Sequence, residues 1–143
     1  MEKDKIDPLA PNQIKKYEFY KKTTKVRDNI IRNFVHLPKS TRYVYAVQIM
    51  RELEKVIKHL LLLDRLNIYN KEEAEERMRH HRKTLVYYEL VFMDMTNAKV
   101  TNMFDSKCWD EQFNNIESAI KMYEGMYKRD YAKYKELFGG KQI

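Results

Sequence analysis

Apolar residues recur every three or four positions through most of the chain. Ala74, Met78, His81, Leu85, Tyr88, Phe92 and Met95 step by 4, 3, 4, 3, 4, 3, a heptad seam along one helix face. Phe19, Thr23, Val26, Ile30 and Phe34 repeat the pattern, as do Trp109, Phe113, Ile116, Ile120, Tyr123 and Tyr127. The residues that stop helices and turn strands are scarce. No proline follows Pro38, and Gly125 is the only glycine between Lys39 and Phe138. The pattern predicts an all-α fold, an up-down-up-down antiparallel four-helix bundle whose short connections make consecutive helices neighbours.

The breaks set the boundaries. Residues 1–11 read as a flexible arm, 12–138 as the bundle and 139–143 as a tail behind Gly139 and Gly140. The first helix is predicted from Asn12 to Val35, since Pro38 disfavours helical geometry at Leu37. The second starts at Ser40 or Thr41 and runs to Leu66. Asn70 with Glu73 has capping-box spacing and opens a third helix, Lys71 to Val100, whose first turns carry four glutamates. The fourth runs from Cys108 to Phe138. Along the second helix, residues from Tyr43 to Leu63 spread apolar character over about half the wheel, wider than the ~100° stripe of a surface helix. That surplus predicts self-association through leftover faces of the first two helices.

Charge adds a partner class. The 143 residues hold 28 Lys and Arg against 21 Asp and Glu, a formal charge of +7. A basic surface attracts polyanions, nucleic acid above all. The single cysteine, Cys108, leaves no internal disulfide or thiolate zinc cluster and fits a reducing cytoplasm. The longest purely aliphatic run, Leu60 to Leu63, is far too short to span a bilayer. The expectation is therefore a cytoplasmic protein without a membrane partner.

The first predicted helix is the most basic segment. Lys15, Lys16, Lys21, Lys22, Lys25, Arg27 and Arg32 face only Glu18 and Asp28 there. Lys21, Lys25 and Arg32 fall opposite the apolar stripe as a strip suited to a phosphate backbone, with Lys22 beside it. Lys39 and Arg42 in the adjoining turn extend it. Lys128 and Arg129, among tyrosines near the C-terminus, complete the candidate nucleic-acid-binding set; Tyr127 and Tyr134 read as continuing seam. Glu75 with Arg79 and Glu76 with His80 have i, i+4 spacing, so the third helix's basic turn reads as partly neutralised.

Enzymatic motifs are missing. There is no phosphate-binding glycine loop, no nucleophile elbow and no Glu-x-x-His pair of a di-iron bundle. No cofactor or metal is expected, and His81 on the seam reads as a hydrogen-bonded core residue. Arg32 and His36 resemble the Arg–His pair of a helical RNase, but three residues intervene where such enzymes place four to six. A helix terminus, whose dipole a histidine complements, accounts for the pair equally. Glu54, near the Met50, Ile57 and Leu61 face, should reach the seam's edge or meet a cation.

The LPKSTRYVYAVQIMRELEKVIKHLLLLDRL stretch, the acidic-then-basic KEEAEERMRHHRK and the FDSKCWDEQ turn together resemble a known family. It comprises small bacterial four-helix-bundle proteins: the large-subunit rRNA intervening-sequence proteins and the accessory variability determinant (Avd-like) proteins of diversity-generating retroelements. The resemblance covers Tyr17 to Lys128. It implies a homopentameric barrel of bundles without enzymatic activity. In the retroelement branch, a basic outer surface would partner a reverse transcriptase and its template RNA; the intervening-sequence branch has no well-defined activity. The basic arm before Tyr17 and the tail after Lys128 exceed the family core.

Overall fold

Four long helices make up most of the structure, a computed structural model that describes residues 14–34, 39, 42–100 and 106–139. They are α1 (Glu18–Phe34), α2 (Val47–Leu63), α3 (Lys71–Val100) and α4 (Ser106–Phe138). A 3₁₀ turn, Ile14–Lys16, precedes α1, and a π-helical turn, Arg42–Ala46, leads into α2. No strand occurs among the described residues. α3 starts at Lys71, where Asn70 and Glu73 place it. α2 stops at Leu63, three residues short of the predicted end, because the chain turns through Asp64, Arg65 and Leu66. The predicted break at residues 37–41 lies outside the described residues apart from Lys39, as do the arm, Asn12, Val35 and His36.

The α2–α3 connection shows local chemistry fixing a helix start. Asn70 Oδ1 accepts the Glu73 amide at 3.0 Å, and the Asn70 carbonyl accepts the Ala74 amide at 2.8 Å. Glu73 reaches back, yet past the cap: its carboxylate accepts the Asn67 amide at 2.8 Å. Asn67 Oδ1 in turn accepts the Tyr69 amide at 2.9 Å. The box therefore locks the whole turn.

Consecutive helices pack on one another, α2 against α3 most extensively, and α1 closes the ring on α4. Cross-helix contacts run in opposite senses along α3 and α4. Arg77 meets Asp130, Tyr88 meets Tyr123, Phe92 meets Phe113 and Lys99 meets Asp110. The core holds Phe19, Val26, Ile30, Ile49, Leu53, Val56, Leu60, Tyr88, Met95, Ile116 and Tyr123. A smaller cluster of Ile68, Ala74, Met78 and Tyr134 packs beneath Tyr127, Tyr131 and Phe138.

The α2 arc is mostly consumed within the chain. Ala46, Ile49, Leu53, Val56, Ile57, Leu60 and Leu63 are all buried, which leaves Leu61 and Leu62 exposed at its end. More apolar surface stays open on α3. Val86, Leu90, Met93 and Val100 are exposed, and Asn97 completes their 4, 3, 4, 3 spacing. α3 thus carries two seams, an inner one and a shorter outer one.

Buried polar groups tie the helices together. Asp130 on α4 is fully buried; Arg77 Nη2 donates to it at 3.2 Å and His81 Nε2 lies 2.6 Å from its other oxygen. His81 Nδ1 meets the Tyr123 hydroxyl at 2.5 Å, and Arg77 Nη1 donates to the Leu66 carbonyl at 2.9 Å. His81 is thus the hydrogen-bonded core residue its seam position implies. Between α1 and α3, Thr23 donates to the Phe19 carbonyl at 2.7 Å, so the Tyr88 hydroxyl, 2.7 Å away, donates to Thr23. Burial raises the Tyr88 pKa and holds this phenol neutral.

Candidate nucleic-acid interface

α1 presents Lys21, Lys25 and Arg32 to solvent, as a solvated helix face should. Two of them have acidic partners, one on the same helix and one on another that the wheel does not reveal. Lys21 lies 3.7 Å from Glu18, and Lys25 lies 3.6 Å from Glu111 on α4. Both pairs are more than half exposed, in the range where an ion pair contributes ~0–1 kcal/mol and yields readily to a competing anion. Arg32 hydrogen-bonds the Asn29 side chain. Lys22 is half-buried, Lys39 is exposed, and the Arg42 side chain lies outside the described residues. Lys128 and Arg129 are exposed on α4, and Arg129 shares a groove with Glu18 and Lys121.

A second basic face lies across α2 and α3, where sequence reading places no site. Lys55, Lys58, Arg82 and Lys83 are exposed and make no ion pair among the described residues. Expected pairing holds less of this turn than the spacing implies. Arg79 bonds Glu76 rather than Glu75, and Glu76 also meets His80 Nε2 at 3.3 Å, so one carboxylate serves two partners. Arg79 pulls the Glu76 pKa down.

Two histidines sit at the centre of this face. His59 Nδ1 of α2 and His80 Nδ1 of α3 are 2.9 Å apart, a hydrogen bond that requires one ring to be neutral. His59 stacks on Tyr87 with ring centroids 5.6 Å apart, and the Lys55 ammonium lies over the same tyrosine at 5.2 Å. Burial lowers the His59 pKa first, followed by His80, Lys83, Lys58 and Lys55. Burial also lowers His80; Glu76 opposes this, while Lys83 and Arg79 add to it. The sequence signal was available: residues 55, 58 and 59 share one face of α2. It becomes a site only once α3 is known to lie alongside.

Two further acid–base arrangements are not ligand sites. Tyr123, His81 and Asp130 form a relay-like chain, but each is fully buried. It joins helices and is closed to a substrate. Glu54, expected to reach the seam's edge or meet a cation, is exposed in a hollow it lines with Ile57, Leu61, Lys58 and Arg65. The buried α2 carboxylate is instead Glu52, two positions round the helix. Gln48 Nε2 donates to it at 3.0 Å, and its pKa is pushed up to about 7, by burial first and then by Asp94 of α3. No group of three or more potential metal-ligating side chains occurs among the described residues. No helix there is long and apolar enough to cross a membrane. The Cys108 and Trp109 side chains lie outside the described residues.

Comparison with protein-family models, with curated proteins and with solved structures finds no match.

Proposed function

We propose that this chain is a non-enzymatic nucleic-acid-binding accessory protein of a diversity-generating retroelement, a partner of a reverse transcriptase and its template RNA. The observation that carries the binding half is the set of exposed cations on a helical scaffold that make no salt bridge among the described residues: Lys55, Lys58, Arg82 and Lys83, with Lys128 and Arg129. Lysine and arginine on rigid helices meet phosphates without reading bases, as contact with a long template requires. The retroelement half rests on the resemblance of residues Tyr17 to Lys128.

The fold proposed is the up-down-up-down antiparallel bundle, supported by the opposed contacts between α3 and α4. The assembly proposed is a homopentamer in the cytoplasm. Its support is the family likeness and the exposed apolar positions Ile31, Val44 and Leu62 together with the outer α3 seam. Heptad spacing on that seam suits a second helix, hence a second copy of the chain.

The experiment is a binding titration of the Lys21→Gln, Lys25→Gln, Arg32→Gln triple variant against unrelated RNA and DNA sequences. Participation of the α1 strip predicts weaker binding to all sequences alike, with helicity and assembly unchanged. The runner-up reading is an interaction bundle of the rRNA intervening-sequence type without its own nucleic-acid site. The pairing of Lys21 with Glu18 and of Lys25 with Glu111 favours it. It predicts no binding by the parent either.

A further inference from the structure

We propose that the His59–His80 pair, flanked by Lys55, Lys58 and Lys83, is a phosphate-binding clasp between α2 and α3 that takes up a proton as it binds.

The protonation pattern follows from the hydrogen bonds. Glu76 is a carboxylate and can only accept, so the His80 Nε2 it touches at 3.3 Å carries the hydrogen. With His80 neutral, its Nδ1 is a bare acceptor. The hydrogen of the 2.9 Å contact then belongs to His59 Nδ1. A neutral His59 is left with a lone pair on Nε2, and no hydrogen-bond partner for that atom occurs among the described residues.

This nitrogen sits among more cations than acids. Lys55 and Lys58 lie on its own helix, and His80 and Lys83 face it from α3. The charged groups around His80 are Arg79, Lys83 and Glu76, and Glu76 is the only acid among them. Glu54, one turn before Lys58 on α2, lines the same hollow as Lys58, and Glu52 interacts with Lys55. Burial first, and then the neighbouring cations, depress His59, while His80 is depressed by burial, Lys83 and Arg79 against the pull of Glu76. An anion relieves the repulsion among these cations. A phosphate oxygen at His59 Nε2 would meet a lone pair, so the favourable contact requires a proton there. His59 then donates from both nitrogens, while His80 Nδ1 still accepts. Tyr87 stacked on His59, with Lys55 over the same tyrosine ring, fixes the imidazole plane.

The sign of the pH effect is determined. In the free protein both histidines titrate below their ordinary value. Bound phosphate raises the His59 pKa, so binding tightens as pH falls between the bound and the free values. A rise of about one pKa unit makes the acidic-side affinity about tenfold that at alkaline pH. The source of the phosphate, a nucleic-acid backbone, rests on the proposed function; the clasp does not.

Both are tested by imidazole NMR titration of the full-length chain from pH 5 to 8, alone, with inorganic pyrophosphate and with a single-stranded oligonucleotide. His81, enclosed and bonded at both nitrogens, serves as the internal control. The expected result is that both ligands raise the His59 pKa by about one unit and leave His81 unmoved. The Lys55→Gln, Lys58→Gln, Lys83→Gln variant should lose the ligand-induced rise and yet keep its helicity. In His59→Gln the tenfold pH dependence of affinity should vanish while lysine-driven binding persists. A rise with pyrophosphate alone upholds the clasp and removes nucleic acid as its ligand. Oligonucleotide binding with His59 unmoved by either ligand overturns the clasp and preserves nucleic-acid binding. No change with either ligand overturns the clasp.

Discussion

Asp130 is the side chain on which the most structure depends. It is a fully buried carboxylate held by Arg77 and His81, and removing it strands a guanidinium without water. Breaking such a pair on one side costs about 3–5 kcal/mol. Asp130→Ala should therefore lose that much in urea unfolding, far more than an exposed control such as Asp110→Ala. Glu52 predicts the opposite behaviour. Its folded-state pKa is raised from 4.5 to about 7, so the favourable form is the protonated one. The stability it contributes is complete below pH 4.5 and is lost as pH rises through about 7. Glu52→Gln, which keeps the neutral shape, should match the parent near pH 4.5 and exceed it at pH 8, by an order of 1 kcal/mol. Thermal melts at the two pH values decide it. Glu54 sits beside Lys58 and Arg65 at the edge of the apolar face, as its neighbours along α2 imply, whereas nothing in the pattern singles out Glu52. The carboxylate that is buried was decided by where α3 lies, which no pattern within α2 contains.

Helices were the legible level. α3 starts where Asn70 and Glu73 place it. The inner seam drifts in the expected way, with Thr84, Val91 and Ala98 joining it in place of the half-buried Leu85 and Phe92. The Asn70 cap should be worth about 1 kcal/mol, so Asn70→Ala should lose roughly that in denaturant unfolding and fray the start of α3 in amide exchange. Pairing between helices was not legible. Lys25 with Glu111, Glu52 with Asp94 and His59 with His80 each join residues from different elements, and single-helix periodicity carries no such information. For the same reason the α1 strip looked freer of acid than it is, and the α2–α3 face looked more neutral.

At the scale of the molecule, two surfaces call for partners: the outer α3 seam and the unpaired cations. If the seam packs against other copies, sedimentation should give a multiple of the 17.5 kDa chain, and Met93→Glu should return it to that mass with its helicity intact. A parent that sediments as 17.5 kDa at micromolar concentration would contradict the assembly. The cations carry the central claim, and the salt dependence of parent binding to unrelated single strands tests it most directly. Each phosphate neutralised contributes about −0.7 to the slope of log affinity against log salt. Contacts from Lys55, Lys58, Arg82 and Lys83 alone predict a slope near −3, the same for every sequence. Absence of binding at low salt, or binding with a flat salt dependence, would contradict it.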